Sequence, residues 1–272
     1  MLPIKAYAPS PFGQLHYRIV LPDQEARQPP LLCLHQTPSS SREWEPIQAS
    51  LAKDRVVIAA DTPGYGMSDP PQEPLEIGDY AEIMLSLMDY LADTGTIASG
   101  AFDVMGYHTG SITATELARS QPNRVRRGVL FGLAAYPAEA RQEKLATLRE
   151  KFPEPDRTLH HVEQLWSIIC QLGDERMSAE HMHVAMGESL RLGSRLPWGY
   201  ISVYRYDFLG AMADVAQPIL VMNPEDDLWD VTNETAHLFR NGQRYDMHGV
   251  SHGVLQIEHD RVVDEIEKFL RS

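Results

Sequence analysis

Only 2 of the 272 residues are cysteine, Cys33 and Cys170, too few and too far apart for a disulfide framework. Each lies in an apolar segment, so both read as buried thiols in a reducing compartment. No apolar run approaches the roughly 18 residues that span a bilayer, and Met1 to Ser10 hold no signal-type apolar stretch. A soluble, cytoplasmic protein is expected. Basic residues are also scarce: 24 Lys and Arg face 38 Asp and Glu, for a formal charge of -14. That balance repels nucleic acid and anionic membrane alike, so neither is expected as a partner. Gly-x-Gly-x-x-Gly and P-loop strings are missing from every strand-to-helix junction, and no organic cofactor is implied. There is no internal repeat and no low-complexity segment.

What the chain does have is length for one large domain with an insertion. Short apolar runs alternate with helical patterns: Leu31 to Leu34, Val56 to Ala60, Phe102 to Gly106, Val129 to Leu133 and Ile219 to Met222. Composition makes them buried strands of a mostly parallel sheet in an α/β fold. Between them Arg42 to Lys53, Gly78 to Ala92 and Ser111 to Ser120 carry apolar residues at helical spacing. Leu15 to Leu21 predicts an antiparallel edge hairpin, and a strand over Gln243 to Met247 with a helix over Val262 to Leu270 closes the fold. Residues 136–217 break the alternation, with helical patterns over Leu159 to Leu172, Ala179 to Leu192 and Ile201 to Met212. An insertion there lies over the carboxyl ends of the strands, where open sheets bind ligands. The expected division is a core of 1–135 and 218–272 under a helical cap of 136–217.

The most informative string is Gly106-Tyr107-His108-Thr109-Gly110, at a junction of strand and helix. A glycine two residues to either side of a central residue is the pattern of a nucleophile elbow, in which the middle side chain is pushed to the top of the sheet. Serine normally occupies the centre. Here it is His108.

Further motifs extend the pattern. Leu31-Leu-Cys-Leu-His35-Gln-Thr-Pro38 is followed by Trp44, then comes Asp61-Thr-Pro-Gly64-Tyr-Gly66-Met-Ser68-Asp69. Asn223-Pro-Glu-Asp-Asp227 lies after a strand, and Gly249-Val-Ser-His252 near the end. Together with the elbow these resemble the α/β-hydrolase superfamily over nearly the whole chain outside the cap. The resemblance implies an α/β-hydrolase fold and the chain order elbow, acid, histidine. It makes His252 the general base and acid, with Asp227, preferred by family spacing over Asp226 and Asp230, holding one ring nitrogen. It assigns the oxyanion hole to the backbone N–H groups of Thr109 and of Gln36 or Thr37.

Other residues carry two readings. His35 is a pocket residue or a histidine that braces its own loop. Tyr107 and the cap aromatics Trp166, Trp198, Tyr200 and Tyr204 line the substrate site or simply pack. His160-His161 and His181-Met-His183 are set aside as metal ligands, because neighbours one or two apart on a helix face different ways. A metal held by His108, His252 and Asp227 is set aside too, since nothing in their spacing is built for one. His108 itself either attacks a carbonyl, giving an acyl-imidazole, or orients substrate while His252 activates water or abstracts a proton. The expected activity is hydrolysis of an ester, lactone or activated C–C bond in a small-molecule substrate, without a cofactor. Alternatives are cofactor-free lyase or proton-abstraction chemistry, or a degenerate ligand-binding protein. The oligomeric state, a homodimer included, is left open.

Overall fold

The computed structural model describes residues 2–272; residue 1, where the expected core segment begins, lies outside them. An antiparallel hairpin of β1 (Ile4–Ser10) and β2 (Gly13–Val20) precedes β3 (Leu31–Leu34). A 3-10 turn over Ser41–Trp44 runs into α1 (Glu45–Leu51), and then come β4 (Val57–Ala60), α2 (Ile77–Asp93), β5 (Phe102–Tyr107), α3 (Thr109–Ser120) and β6 (Val125–Phe131). Helices α4 (Ala138–Ala146), α5 (Leu148–Lys151), α6 (His160–Leu172), α7 (Ala179–Leu190), α8 (Trp198–Arg205) and α9 (Phe208–Asp214) fill the stretch before β7 (Ile219–Pro224). The chain ends through α10 (Trp229–Thr235), β8 (Gly242–Met247), α11 (Val254–Ile257) and α12 (His259–Arg271).

The strands form one sheet in the order β1-β2-β4-β3-β5-β6-β7-β8. The pairs β1/β2 and β2/β4 are antiparallel and every other pair is parallel. Because side chains alternate along a strand, each central strand feeds two cores. Leu32, Leu34, Ile58, Ala60 and Val104 face α2 and α3 residues such as Leu87 and Leu117. Leu31, Cys33, Val57, Ala59 and Met105 face Ile47 of α1 and Val262, Ile266 and Phe269 of α12. Since β4 and β5 flank β3 on opposite sides, a crevice opens at the carboxyl ends of β3 and β5, the switch point at which such sheets bind ligands.

Some expected boundaries move, each for a local reason. β6 begins at Val125 instead of Val129, because Arg126, with Arg55, binds the buried carboxylate of Asp103, so polar residues open a buried strand. The expected helix Arg42 to Lys53 divides where Pro46 enters the first turn of α1. The expected helix Ile201 to Met212 divides at Tyr206 and Asp207, with the Asp207 side chain capping α9. Cys33 is buried as expected, whereas Cys170 is exposed on the solvent side of α6. No helix among the described residues is long and apolar enough to cross a membrane.

The inserted helices own an apolar cluster that includes Phe152, Leu165, Met186 and Leu196, and it reaches the rest of the fold through Tyr65. The Tyr65 hydroxyl accepts from the Gly199 N–H at 2.7 Å. A β-carbon on Gly199 would come within 2.3 Å of Thr37 Oγ1, so only glycine lets α8 settle this close.

Asp61 anchors the opposite side of the crevice. Its Oδ2 lies 2.7 Å from His16 Nδ1 and accepts from the Met67 N–H, while Oδ1 accepts from the Ser41 N–H. One carboxylate thus joins β2, the turn after β3 and its own loop. Burial alone would raise its pKa, but these donors and the nearby His35 outweigh that and hold it at about 2. A folded-state pKa below the unfolded one adds stability above roughly pH 4 that is lost as pH falls toward 2. Asp61→Asn should therefore lower the unfolding free energy at pH 7 by about 2 kcal/mol, with the difference from wild type shrinking below pH 4. Urea melts at pH 7 and pH 3 check this; equal losses at both would show that the charge is not what stabilises.

Candidate active site

β5 runs to Tyr107 and α3 starts at Thr109, so the chain reverses at His108 alone. It does so at φ 47° and ψ -104°, a region that costs a residue bearing a β-carbon about 1–3 kcal/mol. The flanking glycines make the turn possible. A β-carbon on Gly106 would lie 2.2 Å from the Gly110 carbonyl carbon, and one on Gly110 would lie 2.0 Å from the Leu34 carbonyl oxygen.

The imidazole of His108 stacks on Tyr107, with centroids 4.7 Å apart, and directs Nε2 to Asp226 Oδ2 at 2.8 Å. Space for the ring comes from Gly132, just past β6, where a β-carbon would meet Cδ2 at 2.7 Å and Nε2 at 2.8 Å. The Asp226 side chain is 0% exposed, and its other oxygen accepts from the Leu228 N–H at 2.8 Å. A buried carboxylate is tolerated only when it is paired. Burial opposes a charge on His108 as well, yet Asp226, Asp227 and Glu43 together outweigh it and hold the imidazole pKa above its usual value.

A second pair lies beside the first. His252 Nε2 is 2.8 Å from Asp227 Oδ1, and the two imidazoles meet edge to face with centroids 5.2 Å apart. Partial burial raises the Asp227 carboxyl pKa, but the contact with His252 and the charge of His108 overcome this and leave it depressed. One donor atom from each of His108, Asp226, Asp227 and His252 falls within 4.8 Å of all the others. In a serine-type triad the acid holds Nδ1 and leaves Nε2 for the nucleophile. Here both carboxylates hold the Nε2 end.

His108, Asp227 and His252 line a cavity of about 640 Å³, as do Phe152, Leu165, Tyr200 and Tyr204 of the inserted segment, while Asp226 lies buried beside it. Lys144, Lys151 and Arg42 also line it. The expected trio His108, Asp227 and His252 is thus brought together, as are Tyr107, Tyr204, Thr37 and Thr109. The Thr109 N–H, at the start of α3, has no acceptor among the described residues.

Four expected assignments are corrected. The Gln36 N–H donates to Glu43 Oε2 at 2.8 Å, and the Gln36 side-chain amide donates to the other Glu43 oxygen. That donor is occupied, so it is not the open oxyanion donor expected. His35 is buried, its Nδ1 bonded to the Gln36 carbonyl and its Nε2 accepting from the Thr62 N–H; with both nitrogens used it braces its loop and does not reach the cavity. Trp166 is exposed on α6, and Trp198 is turned away at the start of α8, so neither lines the cavity.

Two site residues were missed. Asp226 was weighed against Asp227 and set second on spacing, and the structure pairs it with His108. Glu43 carried no motif. Burial lifts its pKa to about 7, against the lowering contacts of Gln36 and His108. Asp230 is exposed in α10, away from the cavity.

Comparison with known proteins agrees with this architecture. A model of the alpha/beta hydrolase fold matches residues 29–169. The chain is 31% identical over 120 residues to a 2-(acetamidomethylene)succinate hydrolase of Mesorhizobium japonicum, a match covering 44% of this chain and 41% of that protein. It is 20% identical over 252 residues to an (E)-2-((N-methylformamido)methylene)succinate hydrolase of Acinetobacter baylyi, covering 89% of this chain and 90% of that one. Among solved structures, an enol-lactonase from Burkholderia xenovorans superposes with a TM-score of 0.76 at 20% identity, over 98% of this chain and 100% of the other.

The clearance at Gly132 supplies a test of how the His108 ring is held. Gly132→Ala puts a methyl group where Cδ2 and Nε2 lie, so the imidazole should swing off Asp226 by about 1 Å or more, enough to cost roughly 100-fold in turnover. A crystal structure of the variant with the 2.8 Å contact intact would show that the glycine is not needed for it.

Proposed function

Because the chain belongs to the alpha/beta hydrolase fold family, we propose that it hydrolyses an ester, lactone or activated C–C bond of a small, fairly apolar molecule. Residues 136–217 act as the cap over the substrate, and 1–135 with 218–272 carry the chemistry. One observation carries the reading: two imidazoles, each held by its own carboxylate, face each other at the floor of the cavity. Environments that differ between two neighbouring titratable groups set up an acid and a base. With its Nε2–H donated to Asp227, His252 keeps Nδ1 as the acceptor that takes a proton from water. His108, its pKa raised by the surrounding carboxylates, supplies the proton to the leaving group or orients the carbonyl. The Nε2 of His108 is already engaged by Asp226 at 2.8 Å, so this role is preferred to an acyl-imidazole. The free Thr109 N–H, at a helix amino terminus, supports oxyanion charge. The relatives named as succinate-derivative hydrolases and the enol-lactonase support hydrolysis as the reaction to test first.

A second reading stands on Glu43. A carboxyl group with a pKa near 7 that covers one expected oxyanion donor suits proton abstraction in a cofactor-free lyase-type reaction better than acyl transfer.

A panel of p-nitrophenyl esters and lactones tests the first reading, and variants divide the roles. His252→Ala and Asp226→Asn should each lower kcat by about 10²–10⁴-fold; near-wild-type turnover in either removes the paired-histidine mechanism. Rapid quenching during turnover should find no acyl group on the peptide that contains His108, and a trapped adduct would restore the nucleophile role. Glu43→Gln separates the two reactions: hydrolysis should survive it, while proton abstraction by Glu43 should fall by about 10²-fold or more.

A further inference from the structure

We propose that His108, Asp226, Asp227 and His252 form a binding site for one divalent transition-metal cation, held by Nε2 of both imidazoles and one oxygen of each carboxylate. The inference goes beyond the acid–base reading: a bound cation takes the place of the two His–Asp hydrogen bonds on which that reading rests, and its binding does not depend on which bond is cleaved.

Three observations carry it. The first is convergence: one ring nitrogen of each histidine and one oxygen of each carboxylate lie within 4.8 Å of one another. Four ligands at about 2.0–2.2 Å in tetrahedral array lie roughly 3.3–3.6 Å apart, so the two 2.8 Å His–Asp contacts lengthen and the wider separations close as a cation enters. The second is orientation. Both rings present Nε2 to the carboxylates, where a proton-relay triad would present Nδ1 to the acid and keep Nε2 for the substrate. Two imidazole nitrogens and two carboxylates gathered this closely form the donor set of a transition-metal site. The third is charge. The Asp226 side chain is fully buried and Asp227 stands beside it, and one divalent cation offsets two neighbouring carboxylates at once.

The surrounding structure holds the ligands as metal sites require. The Leu228 N–H occupies Asp226 Oδ1 and leaves Oδ2 for the centre. Gly132 clears the space for the His108 ring, and the strained backbone of residue 108 fixes its direction. Two nitrogens and two oxygens, with no sulfur, favour Zn²⁺, Mn²⁺, Fe²⁺ or Co²⁺ over Mg²⁺ or Ca²⁺. Binding releases to solvent any Nε2 proton present and forms four metal–ligand bonds, with no change of oxidation state. A cation held there would border the cavity that His108, Asp227 and His252 line, where it would lower the pKa of a bound water and polarise a carbonyl.

The test is equilibrium binding, read without turnover, so a failed esterase panel leaves it intact. Chelator-treated protein is titrated with Zn²⁺ by calorimetry and with Co²⁺ by visible absorption. One equivalent should bind with a micromolar or lower Kd, raise Tm, and give a cobalt spectrum of nitrogen and oxygen ligands. Asp226→Asn and His108→Ala should each weaken binding by roughly 100-fold or more, with circular dichroism confirming that they fold. His259→Ala, which removes a half-buried histidine paired with Asp260 and Ser50 outside the cluster, should leave cation binding unchanged. The site is overturned by the lack of a one-equivalent phase tighter than about 100 µM, or by affinity unchanged in Asp226→Asn. A sulfur-to-cobalt charge-transfer band, which would locate the ion on exposed Cys170, overturns it equally.

Discussion

A carboxylate with no access to water has to be neutralised where it sits, and Asp226 imposes that demand on everything around it. His108 answers with Nε2 at 2.8 Å, which requires its ring to stand over Gly132, which in turn requires the backbone of residue 108 to adopt a positive φ. That turn folds the start of α3 back onto Gly106 and sets Gly110 against the Leu34 carbonyl of β3, so both positions are glycine. The strain at the elbow is therefore held by packing on both sides, and the imidazole has one direction available to it.

The second histidine is held by a different part of the chain. The His252 carbonyl accepts from the Asp174 N–H at 3.0 Å, and the Ser251 N–H donates to the Asp174 carboxylate. A β-carbon on Gly253 would lie 2.3 Å from Met177 Sδ. The connection between α6 and α7 thus grips the loop that carries His252, and Tyr65 grips α8 on the other side of the crevice. Any displacement of the inserted helices reaches both the cavity wall and the base proposed to act in it.

Glu43, which belongs to no motif, changes the electrostatics of the crevice. By taking both the backbone and side-chain donors of Gln36, it replaces an anion-binding corner with a carboxyl group that titrates at about 7. Three acidic side chains around two imidazoles leave the floor of the cavity electron-rich. Acyl transfer there relies on the Thr109 N–H and on whatever positive charge the histidines carry.

Periodicity and punctuation were enough to read the strand and helix order, because apolar runs such as Leu31 to Leu34 have no other buried form and the glycine spacing around His108 has few other uses. The trio His108, Asp227 and His252 was legible for the same reason: each follows a strand whose carboxyl end opens on one crevice. Where polar residues serve buried partners, the pattern failed, as with Arg126 on Asp103 at the start of β6. Only tertiary structure decided that His108 pairs with Asp226 and that Gln36 is covered by Glu43. It also decided that His35 spends both nitrogens on its own loop and that Trp166 faces solvent. Spacing along the chain places a side chain at the rim of a site, but which atom of it points inward depends on ring rotation and on partners from distant strands, and no one-dimensional pattern records those.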